Sequence, residues 1–199
     1  MVTILALALA LSNGAGGDSS GSAPAGGIPV VINEKLVRYE IKGDTSSELI
    51  AQMARLGPMD GNEHRRFQGH TAWAVRWSYN FAGETSGLCR LQDIEVQLEV
   101  LMTLPDWKPR RHADQRLVQA WPHYLANLTG HEMGHRANGV RAAFAVRDAL
   151  AGVDPAADCR QLGEVAGAAA RDALALHQGA DAEYDRETSH GAKSGFRLP

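Results

Sequence analysis

The chain has 199 residues, a formal net charge of −3 and two cysteines. This length is enough for one domain with a sizeable hydrophobic core. Because the net charge is small and negative and no block of basic residues occurs, the composition indicates neither a nucleic-acid-binding protein nor one that binds an anionic membrane surface.

Residues 1–27 precede the predicted fold and fall into two segments. Residues 2–11 form an apolar run that is too short to span a bilayer but has the length of a signal-peptide core, although no basic residue precedes it. Residues 13–27 are rich in Gly and Ser, which is typical of a flexible linker. We therefore expect a signal-peptide-like segment over residues 1–12, then a linker. The protein is expected to be secreted or periplasmic, with no stable membrane insertion of the mature domain.

Residues 28–199 are predicted to form a single domain of the α+β class. Alternating apolar and polar residues predict three strands, over residues 28–42, 70–79 and 91–104. Thr45 and Glu48 form a capping-box pattern at the start of a helix that follows the first strand. A turn near residues 82–86 favours an antiparallel hairpin between the second and third strands. The expected architecture is a small, mainly antiparallel sheet with helices on one face.

The most informative stretch is the pentapeptide His131-Glu132-x-x-His135. It lies in a long helix predicted over about residues 112–151, on the continuation of an apolar stripe. Histidines four positions apart on an α-helix differ by about 40° around the axis and about 6 Å along it, so both imidazoles can reach one metal ion. Glu132 can then act as the general base on a metal-activated water. The pattern predicts one Zn²⁺ ion; the alternative is a surface helix with two solvated histidines.

A second helix is predicted from an Asp154 N-cap, followed by proline, to just before Gly179. Residues 180–199 show no apolar period and are predicted to form a short tail. Within this tail, Asp185 could accept a hydrogen bond from a ligand imidazole. Tyr184 could donate a hydrogen bond to the oxyanion of a tetrahedral transition state.

A catalytic zinc ion normally takes a third protein ligand. The metzincin continuation H-E-x-x-H-x-x-G-x-x-H is excluded, because Asn138 and Arg141 stand where its glycine and last histidine are expected. Glu164 on the second helix is one candidate, although it could equally be a solvated helix residue. His190 is preferred because it lies in a Gly-bounded polar loop that could return to the active site. On spacing alone, a solvated tail histidine remains an equal alternative.

Cys89 and Cys159 are the two cysteines of the chain, and they fit an exported protein with one disulfide. A bond between them would close a long loop and stabilise the fold by about 4 kcal/mol on the chain-entropy estimate. The alternative is a pair of buried free thiols. A cysteine-based zinc site is disfavoured because neither cysteine has a C-x-x-C partner.

Several short stretches together resemble a family of bacterial proteins described as predicted secreted zinc-dependent proteases. They are Tyr39-x-Ile41-x-Gly43, Thr71-x-Trp73-x-Val75-x-Trp77-x-Tyr79, Cys89, His131-Glu132-x-x-His135, Cys159 and Tyr184-Asp185-x-x-Thr188-x-His190-Gly191. The resemblance covers about residues 36–192. It implies a zincin-like metal site formed by His131, His135 and His190, and it implies little about the substrate.

These observations lead to one expected function and two alternatives. We expect an exported zinc metallopeptidase that hydrolyses a peptide or protein substrate, with Glu132 as the general base. The first alternative is a zinc-stabilised exported binding module without catalysis. The second is a metal-dependent amidase that acts on cell-wall peptides.

Overall fold

The structure is a computed structural model that describes residues 27–59, 65–83, 87–195 and 197–199. The predicted signal-peptide-like segment, residues 1–12, and residues 13–26 of the predicted linker lie outside the described residues. The described elements are β1 (Val30–Ile41), α1 (Ser46–Leu56), β2 (His70–Gly83), β3 (Cys89–Trp107), α2 (Gln115–Ala151), α3 (Cys159–Thr188) and a short 3₁₀ turn, η1 (Ala192–Ser194). The predicted α+β class is confirmed.

The three strands form one sheet in the order β1-β3-β2. The predicted hairpin is confirmed, because β2 pairs antiparallel with β3 from His70 opposite Thr103 to Gly83 opposite Cys89. β1 pairs parallel with β3, with Val30 opposite Val96. The expectation of a mainly antiparallel sheet was therefore wrong, and the sheet is mixed. The chain passes through α1 and β2 before β3 is added, and this crossover allows the parallel pairing.

The hydrophobic core lies between one face of the sheet and the helices α2 and α3. Alternate residues of the central strand β3 are buried on this face: Val96, Leu98, Val100, Met102 and Leu104. The first half of α2 packs with α1 and the end of β3, whereas its second half packs with α3 and the middle of the sheet. The capping box that starts α1 is present as predicted, with Thr45 and Glu48 each bonded to the other's backbone N–H. The core thus fixes α2 against the sheet along its whole length.

α3 differs from its predicted bounds at both ends. It begins at Cys159 rather than after Asp154, because the backbone of Ala156 pairs with that of Cys89 and the N-cap is Asp158. It continues past Gly179 to Thr188, so most of the predicted tail is helical. Its last two turns pack on α2 through polar side chains, which an apolar period could not reveal.

The predicted disulfide is confirmed. Cys89 and Cys159 are bonded with an S–S distance of 2.03 Å, so the start of β3 is tied to the start of α3. This linkage holds the first turn of α3 against the sheet, while the other end of α3 reaches the middle of α2. None of the described helices is both long enough and apolar enough to cross a membrane.

Candidate metal centre

The pentapeptide lies in the middle of α2 and on its buried face. His131, Glu132 and His135 are 5%, 3% and 7% exposed, respectively. They continue the buried stripe formed by Trp121, Leu128 and their neighbours, as the apolar pattern predicted. Both imidazoles therefore point towards α3 and the sheet rather than away from the protein.

A third side chain, Asp185 on the penultimate turn of α3, completes a compact group with the two histidines. The Nε2 atoms of His131 and His135 are 3.2 Å apart, and each is 3.2 Å from Oδ1 of Asp185. Ligand atoms at about 2.0 Å from a tetrahedral zinc ion are about 3.3 Å from one another. The three atoms therefore have the spacing of three corners of such a tetrahedron, and the residues fit a zinc ion with one position left over.

The other ring nitrogen of each histidine has a partner that accounts for the orientation of its ring. Nδ1 of His135 lies 2.9 Å from Oδ1 of Asp181, to which it can only donate. Nδ1 of His131 lies 3.5 Å from Oγ of Thr188, whose hydroxyl itself donates to the Tyr184 carbonyl at 2.7 Å. With the protons assigned to Nδ1, both Nε2 lone pairs face Asp185. Three lone-pair atoms so close together require a shared positive charge, either a proton or a metal cation.

The charge state of the group agrees with this requirement. Burial alone would lower the pKa of His135, but hydrogen bonds to Asp181 and Asp185 outweigh it and raise the pKa to about 10. Burial alone would raise the pKa of Asp185, but hydrogen bonds from both histidines hold that pKa well below its ordinary value. In the metal-free protein the group therefore retains a proton, and a metal cation that binds here would have to replace it.

Glu132 lies beside the group and is not one of its members. The Oε2 atom of Glu132 accepts a hydrogen bond of 2.8 Å from the Thr71 hydroxyl on β2. Burial raises the pKa of Glu132, although the Thr71 hydrogen bond and the neighbouring histidines oppose the shift. A carboxylate with a raised pKa that does not fill a ligand position has the properties required of a general base.

A cavity of about 1080 Å³ opens onto these residues. One wall is formed by residues 65–73, which lead into and begin β2, and the opposite wall by the last turns of α3. His131, Glu132, His135 and Asp185 all line the cavity. A substrate that enters the cavity would therefore meet the candidate ligands and the candidate base together.

Three other candidate site residues lie outside the triangle of His131, His135 and Asp185. His190, the preferred third ligand, stands outside the triangle: its Nδ1 lies 3.4 Å from Oδ2 of Asp185, and its ring packs 5.4 Å from that of Phe67 on the cavity wall. Tyr184, expected to face the oxyanion, stacks on the His131 ring and donates its hydroxyl to the His131 carbonyl at 3.3 Å. Glu164, the other candidate ligand, pairs with Arg160 on the exposed surface near the start of α3.

The structure brings to the site two residues to which the sequence assigned no role there, Asp181 and Thr71. Asp181, Tyr184, Asp185 and Thr188 stand at positions i, i+3, i+4 and i+7 of α3, and all four contact the motif residues of α2. This spacing was visible in the sequence. Because the stripe is polar rather than apolar, a search for apolar periodicity passed over it.

Comparisons with known proteins match most of the chain to one family. A family model described as "Bacterial protein of unknown function (DUF922)" matches residues 36–191. The match includes the pentapeptide on α2 and the polar stripe of α3. No curated protein and no solved structure matches the chain.

Proposed function

The chain belongs to the DUF922 family of bacterial proteins, and we propose that it is an exported zinc-dependent hydrolase that cleaves peptide bonds. The observation that carries this proposal is the triangle of His131, His135 and Asp185 with its 3.2 Å edges. Two imidazole nitrogens and one carboxylate oxygen are ligands that zinc prefers, and three protein ligands leave one position for catalysis. The zincin-like relationship, suggested by the pentapeptide, is part of this proposal.

Zinc bound here would supply a water of lowered pKa and would polarise the substrate carbonyl. Glu132 takes the proton of the attacking water and passes it to the nitrogen of the leaving group. The raised pKa of Glu132 suits both the uptake and the release of this proton, because a stronger base accepts it more readily from water and the resulting acid can donate it to the leaving nitrogen. The Thr71 hydroxyl holds one oxygen of Glu132 and leaves the other for the water.

The substrate is proposed to lie along the start of β2. The central strand β3 is paired on both sides, so an added strand cannot pair with it. β2 forms an edge of the sheet, and residues 70–73 at its start line the cavity. An extended peptide that pairs with this edge would bring its backbone next to Glu132 and the two histidines.

Tyr184 has a supporting role in this proposal rather than the oxyanion role first expected. Its ring lies parallel to that of His131, with 5.1 Å between centroids, and its hydroxyl is used by the α2 backbone. A methyl group added at Gly134 would overlap the Tyr184 ring and its hydroxyl, so the glycine gives the ring the space it occupies. Tyr184 therefore holds the His131 ring in the orientation required of a ligand.

Export is proposed from two features that do not involve the site. The apolar run of residues 2–11 has the length of a signal-peptide core. The disulfide between Cys89 and Cys159 would persist in an oxidising compartment and is uncommon in the reducing cytoplasm. Both features favour a secreted or periplasmic location.

The test combines metal analysis with one conservative variant. The purified protein is expected to bind one zinc ion, and Glu132→Gln is expected to keep that ion while losing about 10²- to 10⁴-fold in peptide cleavage. Glu164→Gln is the matched control, because Glu164 is exposed and distant from the cavity. A fully active Glu132→Gln protein would refute the assigned role of the base.

Substrate profiling separates the remaining alternatives. Cleavage of cell-wall peptides with no cleavage of protein or general peptide libraries would identify the amidase. Stoichiometric zinc with no cleavage in either substrate class would replace the hydrolase with the binding module. Two histidines and a carboxylate also suit non-haem iron, so iron as the bound metal would overturn the hydrolytic mechanism.

A further inference from the structure

We propose that Asn138 and Trp73 are positioning residues that act through Asp181 on the metal ligand His135. This inference rests on the proposed function, because it assumes that His135 binds the metal ion. It concerns the two turns of α2 that follow the pentapeptide, where the metzincin pattern has its last ligand and this chain does not.

Asp181 is held from three directions by three donors. Its Oδ1 atom accepts the Nδ1–H of His135 at 2.9 Å and an amide N–H of Asn138 at 2.7 Å. Its Oδ2 atom accepts the indole N–H of Trp73 at 3.1 Å. The Asp181 carboxylate therefore joins α2, α3 and β2 at one point. Rotation of the carboxylate would break at least one of these hydrogen bonds, which are strengthened by its negative charge.

The donors are themselves fixed. Asn138 is 5% exposed, and its side-chain oxygen accepts a hydrogen bond from the Arg141 guanidinium, so its NH₂ group must face Asp181. The Trp73 ring packs on the backbone of Gly139, where an added methyl group would lie 2.9 Å from Cγ of the ring. The two residues that replace the metzincin glycine and histidine, Asn138 and Arg141, therefore belong to one hydrogen-bonded chain that ends at His135.

This arrangement has a definite consequence for metal binding. A carboxylate that accepts the Nδ1–H of a ligand histidine fixes its tautomer and orients Nε2, and loss of such a partner typically weakens metal binding about 10- to 100-fold. Asp181 can do this only while Asn138 and Trp73 keep it in place, since it would otherwise turn towards solvent. Zinc affinity should therefore depend on two side chains that are not among the candidate ligands and that bond Asp181 instead.

The test measures the zinc dissociation constant by competition with a chelator in three variants of the full chain. Asn138→Leu removes the amide donor at similar volume, and Trp73→Phe removes only the indole N–H while an aromatic ring remains. Both are expected to weaken zinc binding about tenfold, the lower end of the range for an outer partner. Tyr79→Phe is the matched control, because the Tyr79 hydroxyl also joins β2 to α3, at 3.2 Å from the Gly163 carbonyl, but far from the ligands.

A second readout separates positioning from general destabilisation. In the cobalt-substituted protein, the d–d absorption bands report the ligand orientations. They are expected to shift in Trp73→Phe and to stay unchanged in Tyr79→Phe. Unchanged zinc affinity in Trp73→Phe, or an equal loss in Tyr79→Phe, would overturn the inference and leave the hydrolase proposal standing. If the unmodified protein binds zinc but has no hydrolytic activity, and Asn138→Leu and Trp73→Phe both weaken zinc binding, the inference is supported and the proposed function is refuted.

Discussion

The identity of the third ligand can be decided by comparing Asp185→Asn with His190→Gln. Asp185 presents Oδ1 at 3.2 Å from both Nε2 atoms, whereas His190 stands on the far side of the same carboxylate, 3.4 Å from its Oδ2. Asp185→Asn keeps the shape of the side chain and removes its charge. We therefore expect Asp185→Asn to lose most of the zinc affinity and His190→Gln to lose little.

The expected loss of zinc affinity can be estimated from the contribution of one ligand to the free energy of zinc binding. Zinc sites with four protein ligands bind with about 10 to 16 kcal/mol, which is roughly 2.5 to 4 kcal/mol for each ligand. Loss of the Asp185 carboxylate should then weaken zinc binding roughly 100- to 1000-fold. The 3.4 Å contact of His190 is longer than a strong charge-assisted hydrogen bond, so His190→Gln should cost less than about tenfold.

The assay is chelator competition at one fixed pH, with the metal content of each variant measured independently. Asp172→Asn is the control, because this exposed aspartate lies on the same helix and changes the net charge equally. Secondary structure measured by circular dichroism checks that each variant is folded. A loss in His190→Gln as large as that in Asp185→Asn, or normal affinity in Asp185→Asn, would refute the assignment of the third ligand.

Three further predictions concern stability and can be measured by denaturant or thermal unfolding. Gly134→Ala should destabilise the protein by about 1 to 3 kcal/mol because the added methyl group would overlap the Tyr184 ring. Gly130→Ala is the control and should be neutral or stabilising, because a methyl group added there meets open space. Equal effects of the two substitutions would contradict this packing argument. Reduction of the disulfide should lower the free energy of unfolding by about 4 kcal/mol, and an unchanged denaturation midpoint would count against it. The metal-free protein should lose stability as the pH rises from the ordinary His135 value of 6.5 to about 10, because the folded state binds this proton more tightly than the unfolded state. Saturation with zinc should remove most of that pH dependence, and a metal-free protein that becomes more stable over this range would contradict the charge assignment.

The end of α3 shows where sequence reasoning reached its limit. Gly179 and the polar composition after it indicated that the second helix had ended, so Asp185 and His190 were both assigned to a tail. In the structure the helix continues to Thr188, and this places Asp185 opposite the motif histidines. The error had a physical cause: these turns are stabilised by contacts with another helix, and helix propensity alone is weak compared with such contacts.

The same distinction applies to the start of α3 and to the sheet. Asp154 followed by proline satisfied the local rules for a helix start, but the backbone pairing of Ala156 with Cys89 moved the start to Cys159. The parallel pairing of β1 with β3 joins residues that are distant in the chain. Neither pairing leaves a trace in a short window of sequence.

By itself, the sequence determined the features that depend on neighbouring residues. These are the three strands, the capping box of α1, the long helix with its buried histidines, and the pair of cysteines available for a disulfide. Each follows from a periodicity or a spacing that local backbone geometry imposes. The tertiary structure alone decided that Asp181 and Asp185 face those histidines, that Thr71 holds Glu132, and that β2 forms the edge beside the cavity. These contacts join distant parts of the chain, and their free energy comes from packing and hydrogen bonding that exist only once α3 lies on α2.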